Sequence, residues 1–102
     1  MQDGNGTNEK LALERENIDR IDAQILKLFG ERMETVDRIR AIKARDGRPV
    51  RDAAREEKLI ETLIGKAPEG ILPEEVRALF SEILHLSRER QERNNAKEQK
   101  TE

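Results

Sequence analysis

The chain has 102 residues, 41% of them charged and only 34% hydrophobic, with 20 basic against 22 acidic side chains, one His, two Phe, and no Cys, Trp or Tyr. That composition excludes disulfides and thiolate metal centres, a basic nucleic-acid footprint and aromatic platforms for stacking bases. It also leaves little apolar surface for a monomeric core of this size, so the chain is either disordered in part or shares a core with a partner.

Residues 1–10 (MQDGNGTNEK) are rich in Gly, Asn and charge and are expected to be a disordered lead-in. They contain no apolar signal region, and no later stretch reaches membrane-spanning length, so a cytoplasmic protein without a membrane partner is expected. From Leu11 to about Arg45 the pattern is helical, with no Pro and a single Gly, Gly30. One row runs Leu11, Arg15, Ile18, Asp22, Ile25, Phe29, Arg32, Val36, Ile39, Lys43, with Ile21, Leu28 and Ile42 beside it, an apolar stripe at helical period. Gly47 suits a helix C-terminal cap. Arg48-Pro49-Val50-Arg51 reads as a short extended link, and Asp52 as the N-cap of a second helix reaching about Ile64. Residues 65–72 form a loop. Pro73, Glu74 and Glu75 open a third helix that carries Val76, Leu79, Phe80, Ile83 and Leu84 and runs to about Glu92. Residues 93–102 are a polar tail expected to fray. The fold class expected is all-α, with three helices, one long and two shorter, in a single domain over residues 11–92; the stretch has no room for a second catalytic domain but could be an excised piece of a longer chain.

The first helix would be about 50 Å long at ~1.5 Å per residue, whereas a compact domain of this size has a radius of gyration of about 13 Å. Its stripe stays apolar throughout, so something must cover it. A second copy of the chain is the simplest cover; a long coiled coil is the alternative.

Several charges interrupt the stripe. Arg15, Arg32 and Lys43 share its row, and a buried cation without a partner is costly. A long side chain at a stripe edge can instead snorkel to water, and Asp22 in the same row can pair with an Arg. Arg32 and Lys43 are eleven residues apart, hence within about 20° on one face and ~16 Å apart along the axis. Their ends can converge on something small. Arg15 lies about 25 Å from Arg32, too far to reach that site within its own chain but able to reach a partner's in an antiparallel dimer. On the third helix the row Val76, Phe80, Ile83 continues as Ser87 and Gln91: either polar groups aimed into a pocket, or a helix leaving the core. Asp52, Arg55 and Glu56 open the second helix, as caps and exposed charges or as part of the same pocket. Such a pocket combines cations, hydroxyl and amide donors and one or two carboxylates, and bidentate Arg geometry suits a carboxylate ligand. No nucleophile with an activating base is evident, His85 falls off the apolar row, and no phosphate loop or metal motif occurs. The chemistry expected is binding, orientation and fixed charge, without metal or cofactor.

At these residues the sequence resembles the all-α class of chorismate mutase. The stretch R-E-N-I-D-R-I-D-A-Q-I-L-K-L-F-G-E-R from Arg15 to Arg32 looks like that family's opening motif. Lys43 follows, then R-P-V-R-D-A-A-R-E from Arg48 to Glu56, and finally L-F-S-E-I-L-H-L-S-R-E-R-Q from Leu79 to Gln91. Order and spacing together make the match specific over roughly residues 11–92. The resemblance implies an intertwined six-helix homodimer with two active sites, rearranging chorismate to prephenate on the route to phenylalanine and tyrosine. It implies that Arg15 from the partner chain and Arg32 hold the substrate's two carboxylates, and that Lys43 binds a carboxylate and the ether oxygen. Gln91 would donate to that same oxygen. Glu56, with the Asp52 backbone, would hold the ring hydroxyl; Arg55 would organise the site, and Ser87 would lie near a carboxylate. An isochorismate pyruvate lyase, which shares the fold, and a non-catalytic helical dimer or adaptor are the alternatives.

Overall fold

The computed structural model describes residues 3–49 and 52–101, with side chains described for 6–49 and 52–97. Three helices follow one another: α1 (Asp3–Asp46), α2 (Ala53–Lys66) and α3 (Pro73–Thr101). The all-α class expected from the 3.6-residue periodicity is the one observed. Among the described residues no helix is long and apolar enough to cross a membrane. The chain divides into two compact units, residues 1–35 and 36–102.

The first unit is a continuous stretch of α1. Its large apolar side chains Leu11, Leu13, Ile18, Ile21, Ile25, Leu26 and Leu28 all stand exposed, from 37% for Ile21 to 70% for Leu26. The helix begins at Asp3, ahead of the Leu11 start that periodicity suggests, so the segment expected to be disordered is helical from Asp3 onward. Glu9 and Lys10 are good helix formers, and extending an existing helix costs far less than nucleating one.

The second unit holds the end of α1, all of α2 and all of α3. Gly47 closes α1 with φ 71°, a backbone conformation that glycine adopts without strain. The Gly47 N–H donates to the Ala44 carbonyl at 3.3 Å and the Arg48 N–H to the Lys43 carbonyl at 2.8 Å, the paired bonds of a Schellman ending. Val50 and Arg51 of the expected extended link lie outside the described residues. Asp52 caps α2 in extended conformation, its Oδ1 accepting from the Arg55 N–H at 3.1 Å. The turn to α3 uses Gly70 at φ 93°, with the Ile71 N–H bonded to the Pro68 carbonyl at 3.1 Å, so the third turn residue must be one that tolerates positive φ. Pro73 then opens α3. Glu75 reaches back to accept from the Leu72 N–H at 2.9 Å, half of a capping box.

The α2–α3 pair is joined by Ile60, Val76 and Leu84, each at most 8% exposed, which α2 and α3 place on facing stripes. Outside this core, Arg77 forks onto Glu57 at 2.9 and 3.0 Å. α2 continues through Gly65 to Lys66, and α3 continues to Thr101 instead of stopping near Glu92. The polar tail is helical because Asn94 and Asn95 are engaged by residues of α1, and Ala96 to Lys100 are mostly good helix formers.

Candidate active site

Lys43 sits half-buried in the last turn of α1, where a cation complements the partial negative charge of the helix end. Because the Schellman ending turns the chain sharply after it, Lys43 lines one open cleft with Arg48, Pro49, Asp52 and Ala53; the volume is about 390 Å³. The sequence-predicted residues Lys43 and Asp52 are thus brought together by the two helix caps. The same Asp52 cap sets the first turn of α2: its side chain holds the Arg55 N–H, and its carbonyl accepts from the Glu56 N–H at 3.1 Å. Arg55 is exposed. Glu56 is half-buried and turns towards α3, where Arg88 Nη1 donates to its two oxygens at 3.1 and 3.3 Å. Glu56 and Arg88 line a second cleft of about 320 Å³ with Ile60, Arg77, Ser81 and Leu84.

On α3, Ser87 is 5% exposed and its Oγ donates to the Ile83 carbonyl at 2.9 Å. Its hydroxyl proton is therefore used within the helix. Gln91, one turn on, is half-buried. Along this row α3 is packed at Ser87 and, beyond it, engaged by hydrogen bonds at Asn94 and Asn95. Arg15 is exposed and Arg32 half-buried, both on the α1 stretch of the first unit. His85 is exposed, as its place off the apolar row suggests, and lies 2.9 Å from Glu89 one turn on.

One polar cluster escaped the sequence. Arg90 Nε and Nη2 donate to the two carboxylate oxygens of Asp37 at 2.9 and 2.8 Å, and Asn94 Nδ2 donates to Asp37 Oδ1 at 3.1 Å. Arg40, only 9% exposed, donates through Nη1 to Asn95 Oδ1 at 3.1 Å. The hydrogen bonds from Arg90 hold the Asp37 carboxyl below its ordinary value of 3.8; partial burial opposes this, while the charges of Arg90 and Arg40 and the Asn94 amide reinforce it. The apolar row was drawn through Ile39, yet Ile39 is 39% exposed and Ile42 49%, while the neighbouring Arg40 is buried. A side chain with a long apolar stem and a polar end can occupy an inner face when an acceptor such as Asn95 meets it. The available signal was the spacing of Asp37 and Arg40 on one helix against Arg90 and Asn94 on another. Arg77 likewise holds Glu57 below the usual carboxylate range through its hydrogen bonds, and is itself raised by Glu57; both are well exposed and lie on the rim of the second cleft.

Among the described residues no group of three or more His, Asp or Glu side chains is arranged to hold a metal ion. The first cleft sets Lys43 and Arg48 beside Asp52, and the second sets Arg77 and Arg88 beside Glu56 and Glu57.

The chain is similar to proteins of known activity. The bifunctional chorismate mutase/prephenate dehydratase of Aquifex aeolicus (strain VF5) is 33% identical over 84 residues, covering 79% of this chain, and the chain spans 22% of that relative's length. The structure of chorismate mutase (form I) from Thermus thermophilus superposes with a TM-score of 0.74 at 32% identity, covering 76% of this chain and 98% of that one. Form II of the same protein gives a TM-score of 0.79, again at 32% identity, covering 82% and 96%. The chorismate mutase type II family matches residues 14–92, a span that enters all three helices and includes Arg15, Arg32, Lys43, Asp52, Arg55, Glu56, Ser87 and Gln91. By that match the chain belongs to the chorismate mutase type II family.

Proposed function

We propose that the chain rearranges chorismate to prephenate, in the cytoplasm, as a homodimer whose two active sites each borrow Arg15 from the other copy. The observation that carries this reading is the joining of Lys43 and Asp52 on one cleft, with Glu56 fixed one turn inside α2, in a chain of this family. Arg32 and the partner's Arg15 hold the two carboxylates of the substrate. Lys43 binds a carboxylate and the ether oxygen, and Gln91 donates to the same oxygen. Glu56 and the Asp52 backbone receive the ring hydroxyl, Arg55 organises the site, and Ser87 lies near a carboxylate. The exposed apolar face of α1 supports the homodimer, since a second copy would bury it.

The reaction is a concerted shift of electron pairs. The carbon–oxygen ether bond breaks while a new carbon–carbon bond forms, and no proton is transferred. Negative charge grows on the ether oxygen as the bond opens, so donors already aimed at it stabilise the transition state more than the ground state. Holding the side chain of the substrate folded over its ring removes the orientational part of the barrier. Neither a nucleophile nor a general base is needed.

Parallel incubation with chorismate and with isochorismate tests the substrate. Prephenate from chorismate, with isochorismate left intact, is the expected result; salicylate and pyruvate from isochorismate would make the protein a lyase instead, and no reaction with either would favour a binding role. The pH dependence tests the mechanism. An amide at position 91 donates without being protonated, so kcat should change little between about pH 5 and 8. A steep fall over that interval would mean that a titrating acid, and not Gln91, serves the ether oxygen.

A further inference from the structure

We propose that Asp37 and Arg90 are a positioning pair that sets the register of α3 against the end of α1, and so fixes how Gln91 and Lys43 converge on the breaking carbon–oxygen bond. The inference rests on the reaction proposed above and gives a role to two residues that the motif order leaves without one.

The apolar contacts that dock α3 cease early: Val76 and Leu84 are buried and Ser87 closes the packed face. From Arg88 to Lys97 the sequence RERQERNNAK holds no large apolar side chain, so hydrogen bonds and not hydrophobic burial must hold this stretch in place. Gln91 lies inside it. Arg88 ties the start of the stretch to Glu56 of α2, and the bonds that tie it to α1 include the two from Arg90 to Asp37, the one from Asn94 to Asp37, and the one from Arg40 to Asn95.

A two-point guanidinium–carboxylate fork restricts rotation as well as distance, which a single ionic contact does not. Arg90 is the residue immediately before Gln91, so any slide or roll of α3 relieved by losing the fork displaces Gln91 directly. Asp37 is rigidly joined to Lys43 through fewer than two turns of α1, ~9 Å along the axis. The pair therefore spans the two helices that carry the two ether-oxygen donors. Displacements of about 1 Å at a reacting centre cost up to about a hundredfold in rate. Partly exposed ion pairs contribute little to global stability, and the Arg90 and Asp37 side chains are 36% and 31% exposed. Rate, more than folding, is where the loss should register.

A double-mutant cycle separates positioning from general support. kcat and KM for chorismate are measured for the unaltered protein, Asp37→Asn, Gln91→Ala and the double variant, with helicity and thermal midpoint followed for each. Asp37→Asn is expected to lower kcat about tenfold with a small change in KM. In the Gln91→Ala background the same substitution should change kcat by no more than about twofold, because no amide remains to be placed. Arg90→Lys, which keeps the charge and loses the fork, should reproduce both results, and it carries the cycle if Asp37→Asn fails to fold. An unchanged kcat, or the same fold-loss in both backgrounds, would overturn the positioning role while leaving the reaction standing. If the unaltered protein does not consume chorismate, the reaction itself is wrong and this inference falls with it.

Discussion

Lys43→Ala should lower kcat for chorismate by about 10²–10³-fold, the usual loss when one preorganised donor to a developing oxyanion is removed. Lys43 is half-buried at the end of α1 and shares its cleft with Asp52, so its charge is partly shielded from water and acts more strongly than a surface lysine would. The Schellman ending that places it uses only backbone atoms of residues 43–48, and truncating the side chain leaves those bonds intact. Helicity and thermal midpoint should therefore stay close to those of the unaltered protein. Lys43→Gln should fall between the two, since an amide can still donate but brings no charge. Steady-state loss of chorismate absorbance, with circular dichroism beside it, gives the comparison; a loss of less than about tenfold would remove Lys43 from the centre of the mechanism.

The second large effect is expected from Ile25→Glu. Ile25 is 59% exposed in the middle of an α1 face that also presents Ile18, Ile21 and Leu28. Each such side chain gains roughly 1.5–3 kcal/mol on full burial, which would make the face a strong interface for a second copy. Twofold symmetry would bury the new carboxylate twice in each dimer, at a cost of several kcal/mol where no cation meets it. The variant should sediment as a monomer, or fail to fold compactly, and its turnover should fall about a hundredfold or more as the composite sites disappear. A dimer with normal activity would show that this face is covered in some other way.

What the sequence disclosed and what it hid divide along a physical line. Gly47, Asp52 and Pro73 mark helix boundaries through strictly local chemistry: a positive φ, a side-chain oxygen on a backbone N–H, and a missing N–H at a first turn. Those boundaries were legible for that reason. The outer ends of α1 and α3 were not, because Asn and Gly near one and charged residues near the other read as polar tails, while tertiary bonds such as Arg40 to Asn95 decide whether a tail stays helical. The burial of Arg40 beside an exposed Ile39 is the same lesson inside a helix. A 3.6-residue repeat leaves the choice between adjacent positions open, and an acceptor far along the chain made it. The candidate site follows this division. The cleft joining Lys43 to Asp52 is made by two local caps and could be anticipated; the Arg88 grip on Glu56 and the Asp37–Arg90 fork join distant segments, whose pairing helical spacing alone does not fix.

If two copies of the chain build each site from fixed charges, Arg15→Ala and Lys43→Ala should each be nearly inactive alone. Unfolded together and refolded as an equimolar mixture, half the dimers would be mixed, and each mixed dimer would hold one site with both Arg15 and Lys43 intact. Recovery of about a quarter of the unaltered activity is the predicted result. No recovery, with mixed dimers demonstrated in the same sample, would contradict a site shared between copies.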